Sequence, residues 1–148
     1  MSDSNIKLHD RAYEDIKIGD SFSFSRFIDS DSIARFADFS GDYNPLHHDA
    51  EFAKNSEFGG VIAPGMLLSS LFSTLIGMIC PGKRAIYLSQ DLKFKNPFLP
   101  GGEVIVIGTV IRKSDVMRVI EMKTEIKDSS GAILVEGVAK AKVRNHES

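Results

Sequence analysis

One short polar stretch of the chain holds the residues best suited to proton chemistry. Beginning at Ser40 it is SGDYNPLHHDAEFA, with Asp42, Asn44 and His47 around Pro45. A carboxyl group and an imidazole can exchange protons with a water or a substrate when their surroundings tune them. On a regular helix Asp42 and His47 would lie on different faces. Because Asn44 and Pro45 favour a turn, we expect the chain to fold back and bring the two side chains together.

Simpler interpretations exist for each of these residues taken alone. Asp42 and Asn44 are ordinary turn residues, since both can hydrogen-bond to the local backbone. With His47, the neighbouring His48 and Asp49 suggest a metal site. Adjacent side chains rarely converge on one ion, however, and Asp49 is well placed to cap a following helix. We therefore expect no metal here.

The bulk properties exclude several classes of protein. The 148 residues predict a single domain, 1–148, with enough length for a hydrophobic core. The net charge is −2 and the basic residues are dispersed, so nucleic acid is not an expected partner. Cys80 is the only cysteine, which excludes an internal disulfide and suits a reducing, cytoplasmic location.

The sequence offers no obvious contact with a membrane. The first twenty residues are polar and mixed in charge, so we expect no signal peptide. The longest apolar stretch, residues 66–79, is interrupted by serine, threonine and glycine. It is too short and too polar to span a bilayer, and a buried helix is the better interpretation.

The first third of the chain predicts a strand followed by a helix. The stretch SFSFSRFI, residues 21–28, alternates apolar residues with serines and Arg26, which predicts a strand with Arg26 on its polar face. Ser30 or Asp31 can cap a helix that ends at Gly41.

Further along, the pattern alternates between helices and long strands. Asp49 can cap a second short helix that ends at residues 58–60, and a long, nearly all-apolar helix should begin near Pro64 and Gly65. Small residues form one stripe along this helix. Four strand candidates follow, separated by turns, and the later ones are rich in β-branched residues. They are RAIYLSQDLKFKNP, EVIVIGTVIRK, VMRVIEMKTEIK and AILVEGVAKAKVR. This order predicts an α+β fold with an antiparallel sheet packed on helices.

These motifs together resemble a known family. The stretches FADFSGDYNPLHHDAEFA, GGVIAPGMLLSSLFS and IYLSQDLKFKNPFLPGGEV are similar to the signature of the MaoC-like, (R)-specific enoyl-CoA hydratases. The resemblance covers residues 36–106. It implies the hot-dog fold, in which an antiparallel sheet wraps a long central helix. It also implies a homodimer or a higher even oligomer, with an acyl-CoA bound at the junction of two sheets.

The resemblance implies a role for each motif residue. Asp42 and His47 match the catalytic pair, and Asn44 matches part of the turn between them. Gly65 matches the glycine whose backbone N–H receives the thioester oxygen, an oxyanion hole at a helix N-terminus. Ser73 matches a supporting serine on the central helix.

One departure from the family pattern precedes the central helix. The family commonly has His-Gly-Met there, whereas this chain has Pro64-Gly65-Met66. Proline is tolerated in the first turn of a helix, so the N–H of Gly65 should be retained. The substitution removes an imidazole and leaves the details of the pocket open.

The resemblance therefore implies a lyase that reversibly hydrates a trans-2-enoyl-CoA to the (R)-3-hydroxyacyl-CoA, with no metal and no redox cofactor. A dehydratase acting on a 3-hydroxyacyl thioester of acyl-carrier protein is a close alternative. A hot-dog thioesterase is less favoured, because residues 66–79 contain no acid. A non-catalytic acyl-CoA-binding module is the remaining alternative. Lys93 and Lys95 are expected on a solvated strand face, or at the rim near the phosphates of CoA.

Overall fold

The computed structural model describes residues 5–145, and these contain one antiparallel sheet of six strands. The hydrogen-bonded order is β1-β4-β5-β6-β2, and the short strand β3 pairs with β6 beside β2. The strands are β1 Ser21–Ile28, β2 Ala85–Gln90, β3 Lys93–Phe94, β4 Gly102–Ser114, β5 Val119–Lys127 and β6 Ile133–Val143.

The helices gather on one face of this sheet. A single 3₁₀ turn, Tyr13–Asp15, precedes them. The α-helices are α1 Ser30–Ser40, α2 Pro45–His48, α3 Ala50–Lys54, α4 Gly65–Ser69 and α5 Leu71–Thr74. A π-helical turn, Leu75–Ile79, continues α5, and we call residues 65–79 the central helix. None of the helices within residues 5–145 is long and apolar enough to cross a membrane.

The core lies between the central helix and the inner face of the sheet. Side chains of the helix and of the middle strands meet there with 2% of their surface exposed or less: Leu68, Phe72, Leu75, Ile76, Val104, Val106, Val110, Ile120, Met122 and Ile126. The buried positions of β4 and β5 alternate along each strand, as expected for a sheet with one covered face. The α+β prediction, a long helix against an antiparallel sheet, is confirmed.

Two predicted helix boundaries were wrong, and one was confirmed. The N-cap of α1 is Asp29, one residue before the expected Ser30, and its carboxylate accepts a hydrogen bond from the N–H of Ser32 at 2.9 Å. The prediction for Gly41 is confirmed, with a left-handed φ of +80° that favours glycine. The helix after Asp49 ends at Lys54, well before residues 58–60.

Two elements that were each predicted to be continuous are divided in the structure. The central helix changes hydrogen bonding at Ser70 and again after Thr74, where the N–H of Cys80 donates to the carbonyl of Leu75 at 2.9 Å. The strand expected from residue 84 to 97 is split into β2 and β3 around Asp91. The carbonyl of Asp91 lies so close to Gly137 that no larger residue would fit there.

Arg26 is on the face opposite to the one that the sequence pattern indicated. Its partner across the sheet is Val104, which is fully buried, and its neighbours on the same face of β1, Phe24 and Ile28, are buried too. Arg26 therefore lies on the inner face of the strand, among core residues.

Candidate active site

The residues after α1 form a tight turn that positions Asp42. The helix ends when the N–H of Gly41 donates to the carbonyl of Ala37 at 2.7 Å. The carboxylate of Asp42 then accepts a hydrogen bond from the N–H of Asn44 at 3.1 Å. The side chain of Asn44 in turn accepts from the N–H of Leu46 at 3.0 Å and so caps α2. Asn44 is therefore a positioning residue for the turn, which agrees with its expected place in the motif.

The ring of His47 is held by one backbone carbonyl. Its Nδ1 lies 2.6 Å from the carbonyl oxygen of Ile62, and the N–H of Ile62 donates to the carbonyl of Leu46 at 3.1 Å. Because a carbonyl can only accept, Nδ1 carries the hydrogen of the neutral ring. The other nitrogen, Nε2, then has a free lone pair that can take a proton. The half-buried ring of His47 is thus both oriented and set in one tautomer.

Asp42, His47 and Gly65 line a single cavity of about 360 Å³. This size falls in the range of about 300–1,000 Å³ that is common for small-molecule sites. The rest of the lining is mainly apolar and comes from the loop before the central helix, from that helix, and from β3 and β6. It includes Phe58, Ile62, Ala63, Met66, Leu68, Phe94, Phe98, Leu134 and Val135. The predicted catalytic pair and the predicted oxyanion glycine therefore face one apolar pocket.

Gly65 is the first residue of the central helix, directly after Pro64. Its N–H has no acceptor within the helix, because the first amides of a helix lie ahead of the carbonyls that they would need. A side-chain carbon added at Gly65 would lie 2.5 Å from Cδ1 of Phe94. Only glycine lets the helix start come this close to the aromatic ring. The carbonyl of Gly65 accepts a hydrogen bond from the hydroxyl of Ser69 at 2.7 Å.

The structure does not bring Ser73 to this cavity. Ser73 is exposed, as are Ser70 and Gly77, and together these residues form the outward face of the central helix. The serine that is buried near the start of the helix is Ser69. The role that the resemblance implies for Ser73 stays a prediction.

Lys95 lines the cavity, which agrees with the second of the two positions that the sequence left open for it. It follows β3 at the edge of the cavity, half-exposed, and its ammonium lies 3.9 Å from a carboxylate oxygen of Glu136. An exposed pair at this distance contributes little to stability, so the ammonium can meet an anion at the mouth. Phe94, Leu134 and Val135 were also missed, since nothing in the local sequence says that β3 and β6 reach the start of the central helix.

Tyr43 fastens the turn to the preceding helix. Its hydroxyl donates to the carboxylate of Asp38 on α1 at 2.5 Å, and its ring lies 5.4 Å from that of His48. The hydrogen bond to Asp38 raises the pKa of Tyr43. Tyr43 is the residue directly after Asp42, so this contact limits how far the turn that carries Asp42 can move.

Two other candidates have structural roles. Asp49 accepts a hydrogen bond from the N–H of Phe52 at 3.0 Å, which confirms its prediction as an N-cap. Within residues 5–145, no group of three or more His, Cys, Asp or Glu side chains is arranged to hold a metal ion. Cys80 is buried, and burial raises the pKa of its thiol to about 12, so it stays protonated at neutral pH.

Comparison with known proteins places this chain in one family. The family model described as "MaoC like domain" matches residues 15–132. An (R)-specific enoyl-CoA hydratase of Aeromonas caviae is 38% identical over 130 residues, which span 88% of this chain and 97% of that protein. A mitochondrial 3-hydroxyacyl-acyl-carrier-protein dehydratase of Solanum lycopersicum is 37% identical over 128 residues, or 85% of this chain and 76% of the relative.

Solved structures agree on the architecture. The unliganded R-hydratase of Pseudomonas aeruginosa superposes with a TM-score of 0.89 at 30% identity, covering 94% of this chain and 89% of that one. The R-hydratase of Aeromonas caviae gives a TM-score of 0.84 over 86% of this chain and 97% of that one. The fold is therefore the hot-dog fold of the R-hydratases. This chain belongs to the MaoC-like dehydratase family, and it is an enzyme of the hydro-lyase class.

Proposed function

We propose that the enzyme adds water reversibly to a trans-2-enoyl-CoA and forms the (R)-3-hydroxyacyl-CoA. The observation that carries the proposal is the shared cavity, in which Asp42, the free Nε2 of His47 and the helix start at Gly65 surround one apolar space. Relatives named as (R)-specific enoyl-CoA hydratases, from Aeromonas caviae and Rhodospirillum rubrum, support the reaction and its stereochemistry.

The catalytic pair supplies the proton transfers. A water held between the carboxylate of Asp42 and Nε2 of His47 adds its oxygen to C3 of the enoyl group. One proton of that water is taken up by the pair as the C–O bond forms, and one proton is delivered to C2. The net change is H at C2 and OH at C3, so the pair returns to its starting state. Positioned acid–base groups of this kind contribute about 100-fold to 10,000-fold each.

The negative charge that develops on the thioester oxygen needs a hydrogen-bond donor. As water adds to C3, electrons move toward the carbonyl of the thioester and negative charge builds on its oxygen. The N–H of Gly65 is unused by the helix and sits where a positive partial charge accumulates. Loss of one donor of this kind costs about 100-fold to 1,000-fold in rate. The proposed chemistry uses these groups and the thioester alone, without a metal or a redox cofactor. The expected cytoplasmic location stays a prediction.

The test measures loss of the conjugated enoyl-thioester absorbance, with crotonyl-CoA and with a longer enoyl-CoA, followed by assignment of product chirality. We expect rapid formation of the (R) product, and a fall of at least about 100-fold in Asp42→Asn and in His47→Ala. His48→Gln is the matched control, because His48 is exposed and does not line the cavity. Wild-type rates in folded Asp42→Asn or His47→Ala protein would contradict the assignment.

The carrier of the thioester defines a second candidate. Plant mitochondrial relatives are named as dehydratases of acyl-carrier-protein thioesters, and Lys95 at the mouth can meet a phosphate of either carrier. We favour CoA, in line with the two hydratase relatives. The comparison is kcat/KM for the same short enoyl chain on CoA and on acyl-carrier protein. A clear preference for the protein-bound substrate would transfer the assignment to the second candidate.

The proposed assembly is a homodimer that joins two β2 edges. This strand ends the sheet, and it leaves three apolar side chains more than one third exposed, Ile86, Tyr87 and Leu88. An open apolar edge of this kind favours pairing with a second strand. We expect a dimer in sedimentation velocity, and a monomer for Leu88→Lys. Ile18→Lys is the control, because it adds the same charge to an exposed apolar residue just before β1, which lies at the opposite edge of the sheet from β2. A dimer that survives Leu88→Lys would place the interface elsewhere.

A further inference from the structure

A second cavity lies on the other side of the central helix, and a half-buried arginine lines it. The feature begins with Arg26, which projects from the inner face of β1 between the buried side chains of Phe24 and Ile28. Its cross-strand partner is Val104, which is fully buried. A guanidinium group is rarely placed among core residues, because removing it from water is costly unless an anion pairs with it.

Within residues 5–145, no carboxylate forms an ion pair with Arg26. Nε of Arg26 is enclosed and has no hydrogen-bond partner among the residues that the structure describes. The contact of its guanidinium is with the ring of Phe24, at 5.7 Å. Three carboxylates adjoin Arg26 in sequence or across the sheet, and each has another partner or faces away from Arg26. They are Asp29, which caps α1, Asp31, which pairs with Arg35 at 3.3 Å, and Glu103, which lies opposite Phe27 on the other face of the sheet.

Arg26 opens onto a cavity of about 440 Å³, at least as large as the one at the catalytic pair. Its walls are mainly apolar and come from β1, α1 and the central helix. The principal lining residues are Arg26, Phe27, Arg35, Phe36, Leu67 and Leu71. The two cavities share no lining residue, because Leu67 and Leu71 lie on a different face of the central helix from Gly65 and Leu68. This is a separate space with one cation inside, one at its rim, and apolar walls.

We propose that this second cavity binds an anionic amphiphile, a short hydrocarbon chain that ends in a carboxylate or a phosphate. The anionic group pairs with Arg26, and the chain lies along Leu67 and Leu71. Both halves of the site are needed for this conclusion: a guanidinium without a carboxylate partner among the described residues selects an anion, and the apolar walls select a chain. A small inorganic anion would leave the walls empty, and a neutral lipid would leave the charge uncompensated.

Binding is tested directly by calorimetric titration with decanoate and with decyl phosphate, below the concentrations at which they form micelles. Decanol serves as the neutral comparison. We expect saturable binding of one or both anions, weak or no binding of decanol, and a dissociation constant raised at least about tenfold in Arg26→Gln. Lys95→Gln is the matched variant, because it removes one positive charge from the active-site cavity instead. Its affinity for the amphiphile should equal that of the wild type.

Thermal unfolding separates a binding role of Arg26 from a structural one. Arg26 lies beside buried apolar residues, so we expect an apolar side chain of similar length to be neutral or stabilising at this position. Arg26→Met should therefore melt at the wild-type temperature or above, and decanoate should raise the melting temperature of the wild type but not of the variant. The proposal is overturned if no amphiphile binds, if Lys95→Gln and not Arg26→Gln abolishes binding, or if Arg26→Met melts lower while binding is retained. Neither measurement depends on turnover.

Discussion

Tyr43 lies between Asp42 and Asn44 in the turn proposed to hold the catalytic pair, and its side chain points away from the cavity toward α1. Its hydrogen bond to Asp38 is 2.5 Å long and joins the turn to the helix before it. Tyr43→Phe removes this bond without changing the ring, at an expected loss of about 1 kcal/mol in holding the turn. We expect kcat for enoyl-CoA hydration to fall about fivefold, with KM little changed, because Asp42 spends less time in its reactive position.

The companion variant for this prediction is Asp38→Asn. Its side-chain oxygen can still accept from Tyr43, so kcat should stay near the wild-type value. If Tyr43→Phe and Asp38→Asn lower kcat equally, the charge of Asp38 and not the hydrogen bond is the cause. An unchanged kcat in Tyr43→Phe would show that the turn is held without this contact.

Gly65 is limited by its neighbour Phe94. A methyl group at position 65 would approach the ring to 2.5 Å, so Gly65→Ala must displace either the helix start or the ring. We expect a loss of about 100-fold in kcat/KM, because the N–H of residue 65 no longer meets the thioester oxygen. The double variant with Phe94→Leu should regain part of this rate, since a smaller side chain relieves the contact. Full activity in Gly65→Ala alone would contradict a close approach of substrate to this amide.

The sequence predicts the elements best where the signal is local. The capping side chain of Asp49, the stop at Gly41 and the strand at residues 21–28 depend on neighbours within a few positions, and all three are confirmed. The π turn at the end of the central helix has no such signal. Its hydrogen bond joins the N–H of Cys80 to the carbonyl of Leu75, five residues earlier, and no local sequence pattern predicts this spacing.

The site was predictable only in part for the same reason. Asp42 and His47 are close in sequence, and Asn44 and Pro45 predict the turn between them. Lys95, by contrast, reaches the cavity because β3 pairs with β6, a contact between distant segments. The inward position of Arg26 was also missed, because an alternating pattern gives two faces but does not say which one a lone arginine takes.

A single close contact keeps β2 and β3 apart as separate strands. A side-chain carbon at Gly137 on β6 would lie 1.9 Å from the carbonyl oxygen of Asp91, so Gly137→Ala must move one of the two backbones. We expect a loss of about 1–3 kcal/mol or more in the free energy of unfolding by urea. Gly102→Ala on β4 is the control, because its added carbon would meet Phe98 at an ordinary 3.7 Å. Equal stability of the two variants would contradict a tight crossing at Asp91.

The whole molecule should lose stability on acidification in two stages. Burial, with the charges of Arg11 and Lys7, lowers the pKa of His9 below 6.5. As the pH falls below 6.5, His9 therefore becomes protonated in the unfolded chain while it stays neutral in the native state. The free energy of unfolding declines as a result. Hydrogen bonds lower the pKa values of Asp29 and Asp128 below 3.8, so a second decline follows as the pH falls below about 4.

Urea midpoints measured from pH 8 to pH 3 test this order. His9→Gln retains an acceptor for Arg11, whose guanidinium lies 3.2 Å from Nδ1 of His9, and it cannot titrate. We expect the first decline to disappear in His9→Gln while the second remains. A first decline that persists in this variant would assign it to another group.

The three groups proposed to react with substrate all lie within residues 42–65, one short and continuous segment of the chain. The six strands contribute walls but none of these groups. Chemistry and scaffold can therefore be inherited separately. A duplicated copy that lost only Asp42 and His47 would keep every strand, and in the proposed dimer it would give a mixed assembly with one working site and one silent half. Conversely, residues 42–65 form a natural cassette for transplantation into an inert protein of the same fold.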